Sequence, residues 1–328
     1  IPLRLVGSEM CIRDRDIHRD VIVACLAKGE LGTDPEIEIR SFSTLIPEMR
    51  KLRDWVLEAE CRYVAMESTG IYWQPIYEML EPCFDGQISI LVVNARHMKN
   101  VPGRKTDMRD AQWIATLLRA GLLKGSFIPD KTFRELRHLT QYRKSIVQDI
   151  TAQKNRIDKF LQSSGFRFTA FLSDAFGASG QNIIRHLMEY GNISREALDR
   201  CLKTQTRKRI DEILIALNGS LSEHQRGFLR MIFGHLEALE QHRHTVEDAI
   251  TKEITKHEEA LSLLCSIPGI DVTAAAAIIA EIGTDMSAFP DSQHICSWAG
   301  LSPGNNESAG KRKSAHINKG NPYLKSIP

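Results

Sequence analysis

Short alternating and apolar segments in the first third of the chain predict the strands of a mixed sheet. Residues 20–27 (DVIVACLA) and 36–43 (EIEIRSFS) are rich in β-branched side chains and partly alternate apolar with polar positions, as strands do. Residues 63–66 predict a third strand that leads into Glu67. The continuous apolar run at residues 88–93 (ISILVV) predicts a strand buried on both faces.

Helical segments follow and separate these strands. Residues 45–59 and 106–120 carry apolar side chains at intervals of three and four, which predicts amphipathic helices, and residues 71–80 are also predicted to be helical. Two or three hairpin strands followed by alternating helices and strands describe an α/β fold. This is a mixed sheet with helices on both faces, of which the ribonuclease H-like fold is one instance.

Two long helices are predicted for the middle of the chain. Residues 131–163 contain no glycine or proline and keep apolar residues at near-heptad spacing, and a second helical stretch runs from about residue 222 to 264. Such helices usually pair as a coiled coil, within one chain or between chains. Residues 165–191, richer in Gly, Ser and Phe, are predicted to connect them. This all-α region is interpreted as a spacer and an oligomerisation surface.

The last part of the chain is predicted to be small and mainly helical, with one functional loop. The turn at residues 266–270 (SIPGI) enters a helix of small residues at 273–282. This resembles half of a helix-hairpin-helix element, which holds a phosphate through turn amides, and a plain helical packing unit is an equal alternative. Residues 298–312 are glycine-rich, polar and basic, and are predicted to form an ordered loop.

Charge is unevenly distributed although the formal net charge is only +2. Basic residues greatly outnumber acidic ones between residues 96 and 159, and a second basic cluster surrounds Ser308. Basic stretches neutralise phosphates and release counterions, which favours a nucleic-acid partner, while a solvated helix face is the alternative. The second cluster consists of Lys311, Arg312, Lys313, Lys319 and Lys325.

Composition indicates an ordinary globular protein of about two domains. The 328 residues are 42% hydrophobic and 26% charged, and the longest apolar runs are too short to span a bilayer. Because the start also lacks the features of a signal peptide, a cytoplasmic protein without a membrane partner is expected. The seven cysteines never approach C-x-x-C spacing, so reduced and mostly buried thiols are expected rather than a zinc site or disulfides.

Both ends of the chain are interpreted as altered. Residues 5–15 (LVGSEMCIRDR) suit neither a strand nor an amphipathic helix, and EMCIRDR resembles the translated end of a sequencing-library adapter. Residues 1–15 are therefore set aside as an adapter-like artefact. Because residues 323–328 stop just as a new segment begins, a truncated gene fragment is expected, and such a fragment need not be active.

Four carboxylates form a candidate metal site. Asp16 is expected at the start of a strand and Glu67 at the end of another, while Asp107 and Asp110 lie three apart on one helix face. Converging carboxylates hold Mg²⁺, and two such ions activate the attacking oxygen and stabilise the leaving oxygen in phosphodiester cleavage. The alternative for the aspartate pair is a solvated helix start behind the N-cap Thr106.

Motifs along nearly all of residues 16–325 resemble the insertion-sequence one-ten family of transposases. The N-terminal matches are its DEDD motifs, and the C-terminal matches belong to its last domain. The matching segments are Asp16-Ile-His-Arg-Asp20, Met66-Glu-Ser-Thr-Gly70 with Tyr72-Trp73, Lys105-Thr-Asp-Met-Arg-Asp-Ala111, Ile267-Pro-Gly-Ile270, Ala280-Glu-Ile-Gly283, Ala299-Gly-Leu-Ser-Pro303, Glu307-Ser-Ala-Gly-Lys311 and Asn318-Lys-Gly-Asn321.

The resemblance implies an RNA-guided DNA recombinase built from three parts. These are a RuvC-like DEDD domain at residues 16–128, a helical coiled-coil spacer at 129–260 and a transposase domain at 261–328. Asp16, Glu67, Asp107 and Asp110 would bind Mg²⁺, and Ser308 would attack DNA and form a phosphoserine link. The implied partners are double-stranded DNA, a noncoding bridge RNA and further copies of the chain, in a dimer or tetramer. The residues expected to contact nucleic acid are Arg104, Lys105, Arg109, Lys311, Arg312, Lys313 and Lys319.

A serine nucleophile is chemically reasonable at this position. The cations at residues 311–313 would stabilise the charge on the attacked phosphate, and Gly310 allows a close backbone approach. Ser302 and Ser314 are neighbouring candidates, and a lone loop serine is usually a turn residue. Two alternatives to recombination stay open, namely a RuvC-type junction-resolving nuclease that uses water and a non-catalytic nucleic-acid-binding module. A composite active site, with its metal and serine halves on different protomers, is expected from the long helical spacer.

Overall fold

The computed structural model describes residues 7–14, 21–29, 33–68, 71–83, 89–94, 107–302, 306–308, 311–314 and 320–327. At 7–14, 107–110, 306–308, 311–314 and 326, the description is of the backbone alone. The chain divides into two compact units, unit 1 (Ile1–Ile128) and unit 2 (Pro129–Pro328).

Unit 1 is built on a mixed sheet. In its described residues, five strands are arranged in the order β3-β2-β1-β4-β5. The first three strands are antiparallel neighbours, whereas β4 runs parallel to both β1 and β5. The strands are β1 (Gly7–Asp14), β2 (Val21–Gly29), β3 (Glu36–Ser43), β4 (Cys61–Glu67) and β5 (Ser89–Val93).

The central strand β1 corrects one sequence prediction. Residues 5–15 were interpreted as unsuited to a strand, and this is wrong for residues 7–14. In the strand register, the backbone of Cys11 lies opposite Cys25 of β2 on one side and opposite Ala65 of β4 on the other. Pairing along both edges outweighs a weak local strand pattern. The similarity of EMCIRDR to an adapter sequence concerns where the residues come from, and it stays a prediction.

Helices cover both faces of this sheet because neighbouring residues of each strand point to opposite sides. Helices α1 (Ile46–Glu58) and α2 (Trp73–Leu80) supply the apolar side chains of one core, and α3 (Asp107–Arg119) supplies those of the other. The strand residues of the α1–α2 core include Ile22, Ala24, Leu26, Val64, Met66 and Val92, and those of the α3 core include Val23, Cys25, Ala27, Ala65, Leu91 and Val93.

Unit 2 is mainly helical. Its two long helices are α4 (Lys131–Ser163) and α9 (Glu223–Ile254), and the short helices between them are α5 (Ala178–Tyr190), α6 (Arg195–Cys201), α7 (Thr204–Arg207) and α8 (Ile210–Ala216). The region predicted as a simple connection thus includes helices of its own. Phe166, Phe168, Ile183 and Leu187 are completely buried there, because they share one core with the long helices.

The two long helices pack against each other within one chain. Gln153 on α4 is 1% exposed and donates a 2.6 Å hydrogen bond to the Ile232 carbonyl on α9. Arg143 and Lys154 of α4 form ion pairs with Glu247 and Glu240 of α9.

The predicted second stretch, residues 222–264, is not one continuous helix. A 3₁₀ turn at Thr255–His257 separates α9 from α10 (Glu258–Cys265). The two long helices pack against each other within one chain, and the predicted role of this region in oligomerisation stays a prediction.

The described elements in the C-terminal part of unit 2 are short. The turn after α10 leads into α11 (Val272–Ile282), whose N-cap Asp271 accepts a hydrogen bond from the Ala274 amide. Helix α12 (Ser292–Ala299) follows. The segment predicted as a loop is partly a hairpin, with β6 (Asn306–Ser308) antiparallel to β7 (Lys311–Ser314).

The cysteines are less buried than the sequence analysis expects. Cys25 and Cys61 are buried and Cys201 and Cys265 are half-buried, whereas Cys83 and Cys296 are exposed. None of these six cysteines forms a disulfide in the part of the chain that the structure describes. In the part of the chain that the structure describes, no helix is both long and apolar enough to cross a bilayer.

Candidate functional site

The carboxyl ends of three parallel strands share one edge of the sheet in unit 1. Strand β1 ends at Asp14, β4 at Glu67 and β5 at Val93. Ile12 pairs with Met66, and Glu67 pairs with Val93, so these ends lie side by side. This edge is the place where side chains following each strand converge, as expected for parallel strands.

Glu67 is the one member of the predicted DEDD set whose side chain the structure describes. Its side chain is buried, with 8% of the residue exposed. Because side chains alternate along a strand, Glu67 lies on the same face of β4 as Ala65, which belongs to the α3 core. Ser68, the next residue, donates a 2.9 Å hydrogen bond to the Val93 carbonyl and fixes the strand end.

Helix α3 runs along this face and begins near the same edge. It packs against β1, β2 and β4. Its last residue, Arg119, donates a 3.3 Å hydrogen bond to the carbonyl of Gly29, at the end of β2. Gly29 pairs with Gly7, the first residue of β1, so the last turn of α3 lies at the amino end of β1. The first turn of α3 therefore lies toward the carboxyl edge.

The predicted aspartates occupy that first turn. Ala111, Ile114, Ala115 and Leu118 form the stripe of α3 that packs on the sheet. Positions 107 and 110 are four residues before Ala111 and Ile114, so they extend this stripe by one turn toward the carboxyl edge. Arg109, a predicted nucleic-acid contact, lies between them on the backbone.

Other predicted residues lie outside the described part of the chain. These are Asp16, Arg104, Lys105 and Lys319. Among the side chains that the structure does describe, no group of three His, Cys, Asp or Glu residues is arranged to hold a metal ion. The side chains of Asp16, Asp107 and Asp110 lie outside the described part of the chain, so the four-carboxylate set stays a prediction.

The predicted nucleophile, Ser308, is the last residue of β6. It pairs with Lys311, and Glu307 pairs with Arg312 in the antiparallel register of β6 and β7. The predicted basic residues 311–313 all lie on β7. The hairpin thus brings the backbone of the serine position next to that of the first residue of the basic run.

Some of the basic stretch at 96–159 contacts carboxylates within unit 2. Arg143 and Lys154 pair with α9, and Arg137 pairs with Glu281 of α11. Burial lowers the pKa of the Arg137 guanidinium, and Glu281 acts in the opposite direction. These three cations therefore serve helix packing, which the sequence pattern alone did not distinguish from phosphate binding.

A cleft of about 750 Å³ lies within unit 2 between α4, α9 and α11. Arg143, Lys144 and Arg243 line it together with Glu247, Asp271 and Glu281. Arg143 and Arg243 both pair with Glu247, so their charges are largely neutralised there. The cleft is consequently not a strongly basic pocket.

Two residues in the C-terminal motifs, Glu281 and Asn321, have a structural role that the sequence pattern does not indicate. Glu281 is 1% exposed, and Asn321 donates a 2.6 Å hydrogen bond to its carboxylate. The signal was present, since both lie in segments used for the resemblance, but only folding brings them together across 40 residues.

Two family models match the chain in the expected order. A DEDD transposase model of the IS110 group, described as "Transposase", matches residues 16–165. A second model, described as "Transposase IS116/IS110/IS902 family", matches residues 261–327. The first match includes Glu67, Asp107 and Asp110 at the carboxyl edge of the sheet, and the second includes the β6–β7 hairpin that carries Ser308.

A curated relative matches the same family. It is the "Insertion element IS110 uncharacterized 43.6 kDa protein" of Streptomyces coelicolor, 28% identical over 239 residues. The aligned stretch covers 67% of this chain and 58% of that relative, so the chain spans little more than half the relative's length. Since both family models and this relative agree, the chain belongs to the IS110 family of transposases.

Proposed function

We propose that this chain is a DNA transposase that cuts and rejoins DNA strands of an insertion sequence. The observation that carries the proposal is the carboxylate edge of unit 1, where buried Glu67 ends β4 and the first turn of α3 carries Asp107 and Asp110. The strand order β3-β2-β1-β4-β5, with helices on both faces, supports a ribonuclease H-like, RuvC-like fold for this unit.

Asp16 completes the proposed metal-binding set. It follows Asp14, the last residue of β1, by two residues in the sequence. Four carboxylates at one sheet edge offer the oxygen ligands that Mg²⁺ prefers. Bound there, Mg²⁺ would stabilise negative charge on the attacked phosphodiester. The protein's part is to hold these carboxylates on a rigid strand end and a packed helix.

Ser308 is the proposed nucleophile. Its Oγ gives up its proton and forms a bond to phosphorus, the bond between phosphorus and a deoxyribose oxygen breaks, and that oxygen takes up a proton. The resulting serine–phosphate ester retains the bond energy, so a DNA hydroxyl can attack it and rejoin strands without an external energy source. Lys311, Arg312 and Lys313 follow on the paired strand and would stabilise the phosphate charge.

The family resemblance supports the remaining partners. Double-stranded DNA is the substrate, and a noncoding bridge RNA would supply the sequence information that the protein lacks. Arg104, Lys105, Arg109 and Lys319 are proposed as nucleic-acid contacts beside residues 311–313. A homo-oligomer would combine the metal and serine halves of the active site from different protomers.

Trapping a covalent adduct tests the serine mechanism. The purified chain is incubated with Mg²⁺, DNA carrying the joined ends of its own element, and RNA transcribed from the element's noncoding flank. After denaturation and nuclease digestion, mass spectrometry is expected to find a nucleotide on the peptide that contains Ser308. Ser308→Ala should abolish the adduct, whereas the neighbouring variants Ser302→Ala and Ser314→Ala should retain it. Full DNA cleavage by Ser308→Ala would instead indicate a RuvC-type nuclease that uses water.

A second comparison tests the carboxylates. Glu67→Gln is nearly isosteric and removes one metal-binding charge, so strand cleavage should fall at least a hundredfold while the fold is retained. Glu36→Gln makes the same change at an exposed position of β3 and should leave cleavage unchanged. If wild type and Glu67→Gln bind DNA equally well and neither cleaves it with or without Mg²⁺, the chain is a non-catalytic binding module.

A further inference from the structure

The two ends of the segment that carries the serine hairpin meet at a pair of glycines. Helix α12 ends at Ala299, and Gly300 follows it in the left-handed conformation (φ 75°). A Cβ on Gly320 would lie 2.1 Å from the Gly300 nitrogen and 2.3 Å from the Ala299 carbonyl carbon, so the two backbones are in direct contact. The chain therefore leaves this point at Gly300 and returns to it at Gly320. Residues 301–319, between the two glycines, are called the serine segment below.

Asn321 holds the returning end. Its backbone nitrogen donates a 3.1 Å hydrogen bond to the Trp298 carbonyl. Its side-chain oxygen accepts hydrogen bonds from the backbone nitrogens of Tyr323 and Leu324 at 2.9 and 3.1 Å. Its side-chain nitrogen donates to Glu281 Oε2 at 2.6 Å. One residue thus ties the returning end both to α12 and to α11.

Glu281 connects this junction to the long helix α4. Its Oε1 accepts a 2.9 Å hydrogen bond from Gln141, and its Oε2 lies 3.0 Å from Arg137 Nε. Arg137 also donates a 2.8 Å hydrogen bond to the Glu281 backbone carbonyl. The Glu281 side chain is 1% exposed, and three side chains from two different segments contact its carboxylate.

A carboxylate buried this deeply is difficult to explain by stability alone. Removing the charge from water is unfavourable, and an apolar replacement of similar volume often stabilises a protein equally well. A buried polar group with all its partners does, however, fix one geometry of the elements that it joins. Here it fixes the return of the serine segment relative to α4 and α11.

We propose that Glu281 is a positioning residue for Ser308, acting through Asn321 and with Arg137 and Gln141 as its supports. The inference rests on the proposed nucleophilic role of Ser308. Strands β6 and β7 are only three and four residues long, and a hairpin of that size is marginal by itself. Its placement depends on how its ends are held, and displacing a nucleophile by about 1 Å lowers rates strongly.

The test compares Glu281→Gln with the double variant Gln141→Glu/Glu281→Gln. In the single variant, position 281 loses the negative charge that faces Arg137, and only one of its two terminal side-chain atoms can still accept a hydrogen bond. In the double variant, a carboxylate at 141 accepts a hydrogen bond from the new amide and restores a negative charge one helical turn from Arg137, while the amide oxygen at 281 accepts from Asn321. The single variant should form the Ser308 adduct at least tenfold more slowly with DNA affinity within twofold of wild type. The double variant should recover to within threefold.

Hydrogen exchange of the free protein separates positioning from general stability. Glu281→Gln should speed exchange in the serine segment but leave α4 and α9 protected. Faster exchange throughout unit 2 would overturn the proposal, because Glu281 would then be a folding residue only.

Gly320→Ala provides a variant that leaves the carboxylate intact. Its Cβ must push apart the two ends of the serine segment, so adduct formation should again fall at least tenfold. Gly234→Ala, where a Cβ meets nothing within 4 Å, is the matched control and should stay within twofold of wild type.

The outcomes distinguish the two proposals. A wild-type protein that cleaves DNA but forms no Ser308 adduct would overturn the proposed nucleophile. A wild-type protein that forms the adduct, together with Glu281→Gln and Gly320→Ala variants that form it at the wild-type rate, would overturn the positioning role alone.

Discussion

The environment of Cys25 in β2 raises the pKa of its thiol above that of an exposed cysteine. Cys25 is fully buried in the α3 core, and burial raises the pKa of its thiol to about 11. In the unfolded chain the thiol titrates near pH 9, so between these two pH values the folded state binds the proton more tightly. The protonated Cys25 thiol therefore makes its full contribution to stability below pH 9, and this contribution is lost as the pH rises toward 11.

We expect the free energy of unfolding to fall by as much as about 1.4 kcal/mol per pH unit in this window because of Cys25. Urea unfolding across this pH window measures the slope. Cys25→Ala is the control, since other groups titrate in both proteins and only the difference reports the thiol. Parallel curves for the two proteins would contradict the prediction.

Individual site residues were predictable to different degrees. Glu67 could be placed at a strand end because residues 63–66 have a clear strand pattern, and the 107/110 pair could be placed on one helix face by spacing alone. The Glu281–Asn321 contact could not be predicted, because neither residue has a local pattern that indicates its partner. The partners of Arg137, Arg143 and Lys154 were missed for the same reason.

Helix α9 begins with a capping box that makes its N-terminus a well-defined element boundary. The Ser222 side chain accepts a hydrogen bond from the Gln225 amide, and the Gln225 side chain accepts one from the Ser222 amide. Ser222→Ala should lower the free energy of unfolding of unit 2 by about 1 kcal/mol. Asp130→Ala is the control, because Asp130 caps α4 without a side-chain hydrogen bond. Equal losses in denaturant unfolding would contradict a specific role for the box.

The contact between α4 and α9 includes a polar group in an apolar surrounding. Gln153→Leu removes the hydrogen bond to the Ile232 carbonyl and a contact with Arg156, so we expect a loss of about 1–2 kcal/mol. Gln162→Leu on the same helix is exposed and should change stability little. Thermal unfolding of both variants checks this. A neutral or stabilising Gln153→Leu would mean that apolar packing offsets the lost hydrogen bond.

Elements with strong local periodicity were predicted well. The predicted strand at 36–43 has the observed bounds, and the long helix from Lys131 to Ser163 does as well. Strand β1 was not predicted because its stability comes from two neighbours that are distant in sequence. The 3₁₀ turn at Thr255–His257 was missed because the apolar spacing continues through it without a glycine or proline. The β6–β7 hairpin was missed because three or four polar residues form no recognisable alternation.

At the scale of the whole molecule, each unit has cores formed from its own residues. Leu52 lies in the core between the sheet and α1–α2, and Leu136 lies in the core of the helical unit; both are 1% exposed. Replacing either by Ala leaves a cavity and should cost about 2–5 kcal/mol. Because no core cluster among the described residues contains side chains from both units, each change should destabilise mainly its own unit.

Hydrogen exchange followed by mass spectrometry measures this separation in the intact chain. Leu52→Ala should reduce protection in β2, β4 and α1, while α4 and α9 keep their wild-type exchange rates. Leu136→Ala should produce the opposite pattern, so each variant is the matched control for the other.

The two variants also bear on catalysis, because the proposed carboxylates lie in unit 1 and the proposed serine lies in unit 2. With Leu136→Ala, Ser308 adduct formation should fall in proportion to the unfolded fraction of unit 2, whereas Mg²⁺ binding by the carboxylate edge should persist. Loss of protection across both units from either substitution would show one cooperative folding unit, and Mg²⁺ binding could then not be separated from the integrity of the serine half.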